Sequence, residues 1–455
     1  MKLSFYGGAK IVTGANYLLD TGKSKMLIDC GLFQGSKFAE TLNYDPFPYK
    51  AEEIDFVFLT HGHADHVGRL PRLYKSGFRG KIFATKPTVD IVTKTLPDSL
   101  SLIKDEAKKD GHEPLFGADD MHNAISLITG VDYGWSVSVD GVKVTFHDAG
   151  HILGSAVLEI EFENKNGERS KIYFSGDIGN PPSPLLKLTY FPKDADYLVI
   201  ESAYGSRIHE DKSIRKGLLE KIIEDTIASK GTLVIPIFAI ERAQELLYEL
   251  NELIEQGHIP RVPVFLDSPL AIDLTQIYKR YVDYFNQETA HLIESGDDIF
   301  NFPGLTFTRS VEESKKIKEA RGPKIIMAGS GMSNGGRILY HEQEYLPDPN
   351  STVLFVNYQV DGSLGKKLMD GSKDVTILGK SVPVRCKIKA IGGYSGHADQ
   401  DTLLKWVRVA AEGGRLKKVF VVQGEENSST ILTQKIIDRQ AIEAVVPSQG
   451  DSFEL

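Results

Sequence analysis

One six-residue run constrains this chain more than anything else in it: His61-Gly62-His63-Ala64-Asp65-His66, placed directly after the apolar stretch 54–60. That stretch has the length of a buried strand, so the run sits at a strand end. Three imidazoles and a carboxylate there match what zinc needs, because neutral imidazole and carboxylate are its usual ligands in catalytic sites. Alternate residues of an extended segment point the same way, so His61 and His63 can share one metal. Asp65 and His66, one step on, can turn towards a second. Further ligands should come from other loops. His151, bracketed by glycines in Gly150-His151-Ile152-Leu153-Gly154, follows one strand, and Asp177 in Ser175-Gly176-Asp177 follows another. Asp29 also closes a strand-like run. Taken singly, each is more often a turn or capping residue than a ligand. As an ensemble they point to a metal, because strand end after strand end delivers a ligand-type side chain.

The 455 residues suit about two to three domains. The first half reads as short strands at 25–31, 54–60, 142–147, 157–162 and 171–175, with helices packed outside; the turn Asn164-Lys165-Asn166-Gly167 joins the last two. From about residue 206 the rhythm changes. Strands at 232–238 and 262–266 precede helical stretches at 240–256 and 271–285, and 324–328 and 352–357 repeat the pattern. Such alternation indicates βαβ units and a parallel sheet. Short strands return at 382–391 and 417–422. The expected organisation is one domain inserted in another: 1–205, an α/β insertion at 206–380, and a return at 381–455.

Two cysteines, Cys30 and Cys386, cannot staple a fold and suit a reducing compartment. There is no 18-residue apolar run and no apolar leader after Met1, so a cytoplasmic protein without a membrane span is expected. The net charge of −9, from 53 Lys+Arg against 62 Asp+Glu, excludes a protein that coats nucleic acid by bulk electrostatics. Nucleic acid would have to be gripped locally, where bound metal supplies charge that sequence counting omits.

The ligand-type residues resemble the signature of the metallo-β-lactamase superfamily, an HxHxDH run with a later histidine and a later aspartate. The resemblance implies an α/β fold, the αββα metallo-β-lactamase sandwich, with a two-zinc site at one edge. His61, His63 and His151 would hold one zinc, Asp65 and His66 the second, with Asp177 bridging and Asp29 as the orienting acid. Members cleave lactams, thioesters and phosphodiesters, so the fold alone does not set the substrate. The inserted parallel-sheet α/β domain is similar to that of the β-CASP branch, which cleaves nucleic acid. Four segments carry this likeness. Tyr197-Leu198-Val199-Ile200-Glu201-Ser202-Ala203-Tyr204-Gly205 resembles the first β-CASP motif, with Glu201 as its acid. Pro236-Ile237-Phe238-Ala239 before Glu241-Arg242-Ala243-Gln244-Glu245 resembles the strand-to-helix junction. Gly329-Ser330-Gly331-Met332 with Gly335-Gly336-Arg337 resembles the glycine-rich loop of RNA-cleaving members. Ser395-Gly396-His397-Ala398-Asp399 resembles the second motif, with His397 as its histidine. Together with the ligand-type residues from Asp29 onward they span most of the chain.

The resemblance implies a zinc-dependent ribonuclease in which a metal-activated hydroxide attacks the phosphodiester, with Asp65 at the metal centre. His397, its other ring nitrogen held by Glu201, would act as general acid. Single-stranded RNA would thread between the domains, its phosphates gripped by Ser330, Gly331, Arg337, Ser395 and Ser268. A tight turn or a dinucleotide loop competes for the glycine segment, a helix cap for Ser268, and a buried satisfied histidine for His397. The remaining histidines read as structural, His341 being the closest to an exception because it follows Arg337 by one helical turn. One position departs from the pattern. In Val421-Val422-Gln423-Gly424-Glu425, Gln423 stands where RNA-cleaving members place a histidine on the second zinc, and an amide oxygen is a far poorer donor. Two zinc sites are expected, the second weakened. The rival readings are an inactive RNA-binding or assembly subunit with a degenerate second site, and a metallo-hydrolase of another ester. Exposed helices of the insertion could pair two copies into a homodimer. The chain stops soon after the last motif, so the extra C-terminal domain of the RNase J group is expected to be lacking, as is a KH-like segment before Met1.

Overall fold

In the computed structural model, which describes residues 1–455 apart from the side chain of Asp110, the chain divides into two units: residues 1–208 with 397–455, and residues 209–396. The first unit contains two seven-stranded sheets. One runs in spatial order Ser452–Glu454, Lys2–Gly7, Asn16–Asp20, Lys25–Ile28, Phe56–Phe58, Lys81–Thr85, Ile128–Val131. The other runs Glu443–Val445, Lys418–Val422, Tyr197–Glu201, Arg169–Phe174, Ala156–Glu163, Val142–Asp148, Ser136–Val139.

Between the sheets, Phe5, Tyr17, Met26 and Phe58 meet Phe146, Leu158, Phe174 and Phe420 in one buried core. The outer faces are apolar too, and each needs a helical cover. On the first sheet Leu27, Val57 and Ile82 lie under Leu73 of the helix Leu70–Lys75 and Val92 and Leu96 of the helix Lys86–Asp110. On the second, Tyr173, Leu198 and Val419 lie under Leu403, Trp406 and Val407 of Gln400–Ala411 and Leu432 and Ile436 of Glu426–Gln440. The layers are therefore α, β, β, α, the expected sandwich. Strands buried on both faces read as continuous hydrophobic runs, which is why residues 54–60 and 197–201 stand out in the sequence.

Parallel pairing is what gathers the site. Lys25–Ile28 and Phe56–Phe58 run parallel, with Leu27 opposite Val57, so Asp29 and His61 leave the sheet at the same end. In the second sheet Arg169–Phe174, Tyr197–Glu201 and Lys418–Val422 are parallel neighbours. Their C-terminal ends deliver Asp177, Glu201 and Gln423.

The second unit is built on a six-stranded sheet in the order Leu305–Phe307, Val264–Asp267, Lys324–Ala328, Thr232–Pro236, Thr352–Phe355, Lys387–Ala390. Every pair in it is parallel. Here the expected return at 381 is corrected. The run 382–391 is two strands, because Pro383 has no N–H to continue a ladder. Lys380–Pro383 pairs with Asp374–Ile377 as an antiparallel hairpin, and Lys387–Ala390 forms the edge of the inserted sheet, Lys387 opposite Thr352. Residues 381–396 thus belong to the second unit, and the chain re-enters the first at His397. No helix among the described residues is long and apolar enough to cross a membrane.

Candidate metal centre

The site is assembled from the strand exits upward. Asp29 is buried and adopts the left-handed conformation, φ +59°, which a short polar side chain tolerates better than most. Its carboxylate accepts from the Thr60 N–H at 2.8 Å and the Thr60 hydroxyl at 2.7 Å, and lies 2.7 Å from His66 Nδ1. With the Thr60 hydrogen given to Asp29, His61 Nδ1, 3.1 Å away, donates to Thr60 Oγ1 and leaves the lone pair on Nε2. The histidine loop is drawn against this strand exit by Cys30 N–H to His66 O at 2.7 Å and Ala15 N–H to Asp65 O at 2.9 Å.

Gly31 permits that approach, since a Cβ there would fall 1.5 Å from Asp65 O. Gly31→Ala is therefore expected to displace the Asp65-His66 backbone and cost about 3 kcal/mol, read as a lower urea midpoint. An unchanged midpoint would refute this packing argument.

Four donor atoms converge. His61 Nε2 is 3.0 Å from His63 Nδ1, and His63 Nδ1 is 3.3 Å from His151 Nε2. Asp177 Oδ2 is 3.3 Å from His61 Nε2 and 3.4 Å from His151 Nε2. Ligands about 2.0–2.1 Å from a tetrahedral zinc stand about 3.3–3.4 Å from one another, so three imidazoles and one carboxylate at these separations fit that ion. The electrostatics agree. Burial, with His61 and His151 close by, holds the His63 pKa well below the ordinary imidazole value, and burial lowers that of His61. Burial alone would raise the Asp177 pKa, but His66, His61 and His397 outweigh it and hold the carboxyl well below its usual range. Neutral imidazoles around an ionised carboxylate are the forms that bind a cation.

The other oxygen of Asp177 faces a second group. Asp177 Oδ1 lies 3.3 Å from His66 Nε2, and Asp65 Oδ2 is 3.9 Å from the same nitrogen. Gln423 Nε2 intrudes here, donating to Asp177 Oδ1 at 3.0 Å and standing 2.8 Å from His66 Nε2. Tyr17 donates its hydroxyl to Gln423 Oε1 at 3.3 Å. Burial penalises the His66 imidazolium, yet the carboxylates of Asp177, Asp29 and Asp65 raise its pKa. The amide opposes that charge by presenting hydrogens, and the pairing is satisfied with His66 neutral and its Nδ1–H on Asp29.

His397 completes the cluster. A bridge between Gly179 and His397, and the Ala398 N–H to Ile178 O at 2.8 Å, bring it beside the Asp177 loop. Its Nδ1 is 3.1 Å from Glu201 Oε2 and 3.8 Å from Asp177 Oδ2. Glu201 is fully buried and also accepts from the Ile178 N–H. Burial disfavours the His397 imidazolium, but Glu201 and then Asp177 overcome it and push the pKa up to about 9. The side chain is 28% exposed, so the ring reaches solvent.

Asp29, His61, His63, Asp65, His66, His151, Asp177, Glu201, His397 and Gln423 are thus brought together in the first unit. Ser268, Ser330, Gly331, Arg337 and Ser395 lie in the second. Ser268 Oγ accepts from the Ala271 N–H and caps the helix Pro269–Tyr278, the bland alternative. Ser330 Oγ accepts from the Asn334 N–H at 3.1 Å, and Gly331 O from Gln359 at 2.9 Å. Arg337, expected as a phosphate fork, is engaged within its own unit. Its guanidinium donates to Asp267 Oδ1 at 2.7 Å, Thr308 O at 3.1 Å and Arg309 O at 2.7 Å, committing three of five donors to bracing its own loop. His341 is satisfied by Asp267 Oδ2 at 2.7 Å.

Sequence reasoning missed Thr60, which fixes the His61 tautomer, and Tyr17, which fixes the Gln423 amide. Thr60 directly precedes the histidine run and could have been found there; Tyr17 reaches the site only through sheet pairing.

Fold and site together define a metal-binding hydrolase of the αββα sandwich class. Residues 243–368 match the family described as the Beta-Casp domain, 381–447 the Zn-dependent metallo-hydrolase RNA specificity domain, and 2–198 the anti-Pycsar protein Apyc1. Ribonuclease TTHA0252 of Thermus thermophilus is 39% identical over 94% of both chains. An RNase J-like protein of Methanocaldococcus jannaschii is 31% identical over 98% of both. Transcription termination factor FttA of the same organism is 32% identical over 94% of this chain and 67% of its own length. A solved protein of unknown function from Enterococcus faecalis superposes with a TM-score of 0.58 at 13% identity, over 100% of this chain and 99% of that one, a likeness of fold. The chain belongs to the β-CASP branch of the metallo-β-lactamase superfamily, the metal-dependent RNA nucleases.

Proposed function

We propose that this protein hydrolyses phosphodiester bonds of single-stranded RNA in the cytoplasm, with zinc at His61, His63, His151 and Asp177. The observation that carries the reading is the pairing of that four-donor cluster with a proton source, His397 on Glu201, beside the same Asp177. Zinc, when bound, supplies Lewis-acid charge next to the scissile phosphate and makes water a competent nucleophile near neutral pH.

The chain's own residues do the rest. Glu201 holds Nδ1 of His397, so the transferable proton is on Nε2, and its charge keeps that proton in place near neutral pH. As the P–O bond breaks, His397 gives this proton to the leaving oxygen, and Glu201 stabilises the imidazolium beforehand. Asp177 orients both parts by touching the histidine cluster and His397 at once. The RNA specificity domain and the ribonuclease-named relatives support RNA over other esters. The two cysteines are buried and unpaired, which suits a reducing compartment.

The test is zinc-loaded protein incubated with end-labelled single-stranded RNA, the same sequence as DNA, and a p-nitrophenyl phosphodiester. RNA should be cut, and chelation should stop the cutting. RNA left intact while another ester is hydrolysed would overturn the reading.

A further inference from the structure

We propose that this protein holds one zinc ion per chain, and that the carboxamide of Gln423 takes the place of a second. The inference rests on the zinc reading above and concerns the far side of Asp177. A second cation there would need Asp177 Oδ1, His66 Nε2 and Asp65, with one further donor. Gln423 Nε2 stands within hydrogen-bond distance of the first two, at 3.0 and 2.8 Å, while those two atoms are 3.3 Å apart. The position that would touch both is filled by an amide nitrogen.

That nitrogen cannot become a ligand. An amide NH₂ presents two donors and no lone pair for a metal. Its orientation is set from behind, since Tyr17 donates to Oε1. The backbone aims the side chain as well: Gln423 sits at φ +48° with its N–H on Gly8 O at 2.6 Å, and a Cβ on Gly8 would lie 3.1 Å from Gln423 Cγ. A residue held on three sides has little room to swing the amide out. The two amide hydrogens meet two acceptors, Asp177 Oδ1 and His66 Nε2. The group therefore does part of a cation's work by satisfying both, and turns Asp177 Oδ2 towards the three histidines. Asp65, with Oδ2 3.9 Å from His66 Nε2, is too sparse a donor set alone for a tightly held ion.

The experiment is metal counting on the full chain. Wild type, Gln423→His and Gln423→Leu are stripped with chelator, reloaded with excess zinc, gel-filtered and analysed for zinc per chain. The expected values are about one for wild type, about two for Gln423→His and about one for Gln423→Leu, the variant that removes the amide without adding a ligand. Cobalt(II) loading gives an independent readout. Spin resonance should account for all the cobalt in wild type, and lose intensity in Gln423→His as two ions couple through Asp177. Wild type with about two zinc ions, or Gln423→His remaining at about one, would overturn the proposal while leaving the four-donor site intact. Wild type with none after reloading would overturn both the proposal and the zinc reading beneath it.

Discussion

Replacing Asp177 by asparagine is expected to lower the rate of RNA cleavage by at least about 10³-fold. Its two oxygens join the histidine cluster, His66 and His397. One oxygen lies 3.3 Å from His61 Nε2, 3.4 Å from His151 Nε2 and 3.8 Å from His397 Nδ1; the other lies 3.3 Å from His66 Nε2 and accepts from Gln423. Asparagine keeps the shape and one acceptor but removes the charge, and its NH₂ must face either the histidine lone pairs or the Gln423 amide. Both arrangements put hydrogens where a cation or a donor belongs. Zinc content should fall with the rate, and an unchanged circular dichroism spectrum should show that the fold persists. A variant retaining near wild-type cleavage would remove Asp177 from the centre of the mechanism.

The second large effect concerns pH. An acid catalyst works only while protonated, so activity is present below the pKa of His397 and lost as pH rises through it. With that pKa pushed up to about 9 by Glu201 and Asp177, the falling limb of kcat belongs in the alkaline range. Glu201→Gln removes the largest raising influence, and the limb should move towards the ordinary imidazole value of about 6.5. His397→Ala should lower kcat by about 10²–10⁴-fold on RNA. It should lose much less on a p-nitrophenyl ester, whose leaving group needs no proton. A limb that stays put in Glu201→Gln, or an equal loss on both substrates, would show that His397 is not the acid.

The parts of the site legible in the sequence are those whose chemistry is local. His61, His63, Asp65 and His66 announce themselves because one loop supplies four ligand-type residues, and His151 and Asp177 because glycines bracket strand ends. Glu201 and His397 were legible only through resemblance, since nothing in either neighbourhood reveals that they touch. What a side chain is already bonded to was not legible at all. Ser268 and Arg337 have the right chemistry for phosphate, but a helix N-terminus claims one and Asp267 with two carbonyls claims most of the other. The boundary at 381 failed for a related reason, because a short strand carries no label saying which sheet it will join. The 25-residue helix Lys86–Asp110 escaped notice because Pro97 interrupts its pattern, although the fold accommodates it. At Gln423 the position was readable, but the direction of its amide depends on Tyr17, two strands into the opposite sheet.

The closing strand of the first unit, Ser452–Glu454, pairs with the opening one, Lys2–Gly7, and His397 enters only after the whole inserted unit. Translation therefore delivers the parts of this site far apart in time. At about 5–20 residues per second, more than about ten seconds separate Asp177 from His397. Throughout that interval the emerging chain carries the residues around Asp177 but not His397, and its first sheet lacks the strand Ser452–Glu454. With His397 as the acid, a nascent chain stopped before that residue is expected to cleave RNA at least about 10²-fold more slowly than one that carries it.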